Sequence, residues 1–96
     1  MLLAIDVGNT NTVIGVFEGR DLLAHWRIAT RREATADEYG ILLKSLLDLA
    51  GLPFRGITGL IISCVVPPLQ GPLAEMGQKF FGVKPFEVGP GIKTGR

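Results

Sequence analysis

The segment Thr35-Ala36-Asp37-Glu38-Tyr39 changes the hydrophobic period of this chain, and that change constrains the fold more than any other feature. Upstream, apolar residues fall in short runs or alternate. Downstream, Tyr39, Leu42, Leu43, Leu46, Leu47 and Ala50 recur at helical spacing. Thr35 and Glu38 form a capping box. The Thr35 side chain can accept the Glu38 N–H while the Glu38 carboxylate reaches back to the Thr35 N–H. Gly51 supplies a left-handed stop, and Pro53 prevents the helix from continuing. A helix is thus bracketed by strand-like segments. Such a connection is a crossover, so the strands before and after it are expected to be parallel neighbours.

The flanking segments read as strands. Leu2 to Val7 is a short apolar run. It ends in Gly8-Asn9-Thr10-Asn11, a turn-forming cluster. Thr12 to Phe17 is β-branched and aromatic. After the turn Glu18-Gly19-Arg20-Asp21, the stretch Leu22 to Ile28 alternates. Leu22, Ala24, Trp26 and Ile28 are expected on a core face; Leu23, His25 and Arg27 are expected on the other. These three strands predict an antiparallel meander. Leu60 to Val66 suits a strand buried on both faces. Pro67-Pro68 suits the first turn of a second helix, whose face is Leu69, Leu73, Met76 and Phe80. Val83 to Val88 predicts a fifth strand, broken by Gly89-Pro90-Gly91. The expected order is β-β-β-α-β-α-β in a mixed sheet. Three meander strands extended by αβ units are the pattern of a ribonuclease-H-like lobe.

Composition narrows the function classes. The 96 residues suffice for one small domain, and 47% of them are apolar. A mean hydropathy of +0.35 is on the apolar side for a globular chain. We expect a surface that something else normally covers. The net charge of +1 leaves no broad footprint for nucleic acid. The basic cluster Arg27, Arg31 and Arg32 reads as a solvated face. A single cysteine, Cys64, has no internal disulfide partner and lies in an apolar strand, so it reads as core packing. No apolar run nears the about 18 residues that a membrane span needs. The N-terminus lacks the pattern of a signal peptide. A cytoplasmic chain with no membrane and no nucleic-acid partner is the expectation.

Chemistry concentrates in Asp6-Val7-Gly8-Asn9-Thr10-Asn11-Thr12-Val13. Asp6 ends a buried strand, where a carboxylate can serve as a ligand for Mg²⁺ bridging to phosphates. Gly8 permits a tight turn and close approach of the backbone to a ligand. Asn9, Thr10, Asn11 and Thr12 offer amide, hydroxyl and backbone donors that could form a concave anion site. The same residues equally suit a plain tight hairpin, which on the residues alone is the simpler reading. Neither a Walker loop nor a dinucleotide fingerprint is present. Among the remaining residues, the lone His25 reads as solvated or at an interface, Trp26 as core, and Asp37 and Glu38 as a helix cap.

The run IDVGNTNTVIGVF resembles the first phosphate motif of the type III pantothenate kinases, members of the acetate and sugar kinase/Hsp70/actin superfamily. Other branches typically carry Gly-Gly-Thr or Gly-Thr-Thr where this chain has Gly-Asn-Thr. Trp26-Arg27-Ile28-Ala29-Thr30 with Thr35-Ala36-Asp37-Glu38-Tyr39 resembles the family's third strand and helix start. Ile62-Ser63-Cys64-Val65-Val66-Pro67 resembles its Ser-x-Val-Val-Pro strand end. Val88-Gly89-Pro90-Gly91-Ile92-Lys93-Thr94-Gly95 resembles its Gly-Pro-Gly-x-Lys-Thr-Gly stretch. Four motifs in order span the chain.

The resemblance implies transfer of the ATP γ-phosphate to the hydroxyl of pantothenate, the first step of coenzyme A synthesis. It implies that residues Asp6, Val7, Gly8, Asn9, Thr10, Asn11, Thr12 and Val13 bind the ATP phosphates, with Asp6 placing Mg²⁺. Lys93 and Thr94 are candidates for contact with the substrate, or part of a plain loop. A monovalent cation (K⁺ or NH₄⁺) and a homodimer are also implied. The family's Gly-Ala-Asp-Arg motif, with its catalytic base, and its Asp-x-Gly-Thr-Ala-Thr motif do not occur in these residues. Residues 1–96 are therefore expected to be an N-terminal phosphate-binding lobe without its second lobe, without a catalytic residue, and inactive alone. Some relatives of these kinases are associated with bacterial transcriptional control, so a non-catalytic regulatory module is the alternative.

Overall fold

The computed structural model describes residues 1–88. Its order is β1 (Leu2–Val7), β2 (Asn11–Glu18), β3 (Asp21–Ala29), α1 (Ala36–Leu49), β4 (Gly59–Cys64), α2 (Pro67–Met76) and β5 (Phe86–Val88). A short 3₁₀ turn at Phe54–Gly56 precedes β4, and a π-helical turn at Gly77–Phe81 follows α2. The sheet order is β3-β2-β1-β4-β5. β1, β2 and β3 form the antiparallel meander, while β4 pairs in parallel with β1 and β5 in parallel with β4.

The expectation that β3 and β4 are neighbours is therefore wrong. β3 runs in the same direction as β4, but the crossover through α1 passes over β2 and β1 to reach the far side of β1. The cause is burial. β1 places Leu3, Ile5 and Val7 under the helices, and Leu60, Ile62 and Cys64 of β4 continue that surface. β3 is half-exposed along its length and cannot offer β4 a comparable apolar neighbour.

Both helices pack on one sheet face. Tyr39, Leu43 and Leu47 of α1 and Leu69, Leu73 and Met76 of α2 close over Leu3, Ile5, Val7, Ile14, Val16, Leu60 and Ile62. Each fully buried Leu or Ile in this layer contributes about 1.5–3 kcal/mol by leaving water. Cys64 sits among them with its sulfur against the Val66 carbonyl, in a packing role. The opposite face carries Ala4, Asp6, Val13, Gly15, Phe17, Leu22, His25, Ile61 and Ser63. The described residues do not cover it: Val13 is 39%, Leu22 49% and Phe86 66% exposed. β4 is thus buried on one face only, since Gly59, Ile61 and Ser63 are half-buried.

Four local differences from the sequence reading have local causes. A register shift between Val16 and Phe17 pairs Phe17 with Leu22 and Val16 with Ala24. One extra residue, Leu23, reverses the alternation, so Leu22 lies on the open face with His25. Trp26 keeps the predicted side but is half-buried against the core rather than inside it. β4 ends at Cys64, because Val66 already caps α2 and Pro67 and Pro68 occupy its first turn. β5 begins only at Phe86; Val83 to Pro85 approach it without pairing.

The capping box of α1 is present. Thr35 N–H donates to Glu38 Oε1 at 2.8 Å, and Glu38 N–H donates to Thr35 Oγ1 at 3.2 Å. Gly51 at φ 72° follows the last helical turn in the left-handed region. The Thr35 amide, and after it the Thr35 hydroxyl, holds the Glu38 carboxyl below its ordinary value of 4.5. A depressed folded-state pKa gives stabilisation that is present above the unfolded value and is lost as pH falls through the folded one. Below pH 4.5, denaturant midpoints of the wild type should therefore fall more steeply than those of Glu38→Gln, and parallel curves would exclude this contribution.

Gly40 shows where the helices meet. A Cβ there would lie 2.5 Å from Phe80 Cε1 and 2.6 Å from two further ring atoms. Gly to Ala within a helix ordinarily gains about 0.5–1 kcal/mol. Overpacking against the ring should reverse that sign and cost about 1–3 kcal/mol. In a Phe80→Ala background the same Gly40→Ala change should become stabilising, as a double-mutant cycle from urea unfolding would read.

Candidate functional site

The turn Gly8–Asn11 joins β1 to β2 at the carboxyl ends of the parallel strands β1 and β4, the sheet end at which open α/β proteins bind ligands. Alternation along β1 sends Val7 into the core and Asp6 onto the open face. Asp6 is exposed, and its carboxylate joins no ion pair among the described residues. Its partner across β4 is Ser63, on the same open face.

The turn is held from inside. Gly8 N–H donates to the Asn11 carbonyl at 2.9 Å. The Gly8 carbonyl accepts the Thr30 hydroxyl at 2.8 Å, and the Thr10 carbonyl accepts the Thr30 N–H at 2.9 Å. Thr30 Oγ1 also lies 2.8 Å from Thr12 Oγ1. The Gly8 carbonyl can only accept, so Thr30 donates to it and Thr12 donates to Thr30. Tyr39 packs beside this pair from α1. Burial pushes its phenol above the ordinary tyrosine value, and the Cys64 thiol adds to the effect, while the Thr12 hydroxyl works against it. The phenol thus stays neutral throughout the physiological range.

The outer surface of the turn is open. Asn9, Thr10 and Asn11 are exposed, and the N–H groups of Asn9 and Thr10 have no hydrogen-bond partner among the described residues. Unpaired amides next to exposed amide and hydroxyl side chains are the donor set that an anion site requires. Thus Asp6, Asn9, Thr10 and Asn11 are brought together as a polar rim. Val7 and Thr12 are fully buried on the other face, so only their backbone could reach a ligand. Val13 lines the open face beside Asp6. His25 is exposed there, two strands away from Asp6. Lys93 and Thr94, with the Gly-Pro-Gly stretch before them, lie outside the described residues.

No group of three or more His, Cys, Asp or Glu side chains converges among the described residues. A self-sufficient protein cage for a metal is thus not part of this segment. The lone Asp6 carboxylate fits Mg²⁺, which characteristically takes one or two carboxylates and completes its shell with phosphate oxygens and water.

Two contributors were missed by reading the residues for chemistry. Thr30 closes the Trp26–Thr30 run that resembles the family's third strand, but nothing in that run signalled its bonds to the turn. Ser63 did have one: it is the polar residue in the apolar run Ile61 to Val66. The N-terminus of α2 lies at the same sheet end but offers few donors. Pro67 and Pro68 have no N–H, and Leu69 N–H is bonded to Val66 O.

The described fold is similar to that of the ROK hexokinase from Thermus thermophilus, with a TM-score of 0.68 over 92% of this chain and 34% of that one. At 17% identity this likeness concerns the fold alone: a mixed five-stranded sheet with two helices. Residues 2–96 match the type III pantothenate kinase family, and the chain belongs to it. The type III pantothenate kinases of Myxococcus xanthus and Geobacillus kaustophilus are each 56% identical over 95 residues, or 99% of this chain. The chain spans 37% of the length of each.

The tightness of the turn is testable. A Cβ at Gly8 would lie 3.1 Å from the Asn11 carbonyl oxygen, the acceptor that closes the turn. Backbone cannot yield there without opening the hairpin. Gly8→Ala should cost about 1 kcal/mol in chemical denaturation, and an unchanged midpoint would show that the turn has slack.

Proposed function

We propose that residues 1–96 are the phosphate-binding, N-terminal lobe of a type III pantothenate kinase that transfers the γ-phosphate of ATP to the hydroxyl of pantothenate, opening coenzyme A synthesis. The observation that carries this reading is the Asp6 carboxylate standing beside a turn with unpaired amides, in a chain of this family. The lobe is of the ribonuclease-H-like type, and the remaining length of the relatives would supply the second lobe.

The amides of Asn9 and Thr10, with the Asn9, Thr10 and Asn11 side chains, bind and orient the phosphate oxygens. Asp6 holds Mg²⁺. When bound, Mg²⁺ neutralises charge on the phosphate oxygens during transfer. Val13 and the backbone of Val7, Gly8 and Thr12 shape the floor of the site. Positioning of this kind supplies most of the catalysis in phosphoryl transfer. The catalytic base, the monovalent-cation ligands and most pantothenate contacts belong to the rest of the protein. Lys93 and Thr94 are candidates on the substrate side. The whole enzyme is read as a cytoplasmic homodimer. Among the described residues, no helix is long and apolar enough to cross a membrane.

Asp6→Asn in the full-length protein should lower pantothenate phosphorylation about 10²-fold or more while leaving the fold intact by circular dichroism. Activity close to wild type would remove the metal role. The isolated 96-residue chain should not phosphorylate pantothenate, and turnover by it would place a catalytic base within these residues.

A further inference from the structure

We propose that Thr30 is the positioning residue of the phosphate site: it fixes which way the Gly8–Asn9 peptide of the turn faces. The inference rests on the phosphate-binding reading of that turn and adds the device that keeps it productive. Thr30 makes two bonds to the turn from the end of β3. Its hydroxyl donates to the Gly8 carbonyl at 2.8 Å, and its N–H donates to the Thr10 carbonyl at 2.9 Å. In a trans peptide the carbonyl and the following N–H point in opposite directions. All described peptides are trans. Drawing the Gly8 carbonyl inward to Thr30 therefore aims the Asn9 N–H outward, while the Thr30 N–H anchors the far side of the turn at the Thr10 carbonyl.

The alternative orientation has a clear chemical cost. If the Gly8–Asn9 peptide turned over, its carbonyl oxygen would face the phosphates and repel them. An isolated turn has little to prevent this. The bond that commonly closes such a hairpin, Asn11 N–H to the Gly8 carbonyl, is absent, and the Thr30 hydroxyl occupies that acceptor instead. The hydroxyl is itself oriented. Thr12, fully buried, donates to Thr30 Oγ1, leaving the Thr30 proton free only for Gly8. Thr30 touches no expected ligand atom and acts through the backbone of the turn.

The test uses the full-length protein and isothermal titration with ATP–Mg²⁺. Thr30→Val keeps the β-branched shape and the backbone N–H but loses the hydroxyl. It should weaken ATP binding about tenfold, the scale of one lost hydrogen bond. The KM for pantothenate should stay within about twofold, and Thr30→Ser should restore ATP affinity. Thr30→Cys, with its weaker donor, should fall between the two. ATP affinity within twofold of wild type in a folded Thr30→Val protein would overturn the proposal. Should Thr30→Val not fold, an unchanged ATP affinity in Thr30→Cys overturns it equally. Gly8→Ala and Asp6→Asn separate this from the underlying reading. If neither changes ATP binding, the turn is not the phosphate site. If they weaken it and the Thr30 variants do not, only the positioning role fails.

Discussion

β1 is hydrogen-bonded along both edges, antiparallel to β2 and parallel to β4, and every other element is placed by that fact. A six-residue strand with both edges occupied has no freedom to slip. Its alternation then decides two things together. Leu3, Ile5 and Val7 must lie beneath α1 and α2, and Asp6 must stand on the other face. A one-residue change of register would bury the carboxylate and expose three core side chains. The position of the candidate metal ligand is thus enforced by the same contacts that form the core.

The open sheet face gives physical content to the apolar composition. Ala4, Val13, Phe17, Leu22, Ile61 and Phe86 are residues of a layer whose second side the described residues do not supply. The relatives are longer than this chain, which spans 37% of their length, so material for such a cover is available in the family. The sheet edge at β3 and the face around Asp6 therefore differ: one is a boundary of the sheet, the other an apolar surface that the described residues leave open.

Much of this was legible in the residues, for reasons that can be named. The start and stop of α1 were readable because capping is a local interaction: Thr35, Glu38 and Gly51 act within one turn of the helix. The β1–β2 hairpin was readable because turn chemistry is local as well. The neighbour of β4 was not, since adjacency depends on which buried strand offers the better apolar surface many residues away. Leu22 was misplaced because the extra residue Leu23, opposite Val16/Phe17, bulges β3 and shifts its phase. Asp6, Asn9, Thr10 and Asn11 were recognisable by residue type. Thr30 was not, because its role exists only once β3 has brought it beside Gly8.

The two prolines that open α2 have an effect on the site they never touch. Strand ends and helix starts gather at one end of the sheet, and each could attract an anion through unpaired amides and, for the helix, its dipole. Pro67 and Pro68 cannot donate, and Leu69 N–H is already bonded to the Val66 carbonyl. The helix start is thereby muted. An anion drawn to this end of the sheet would meet no rival to the Gly8–Asn11 turn at the start of α2.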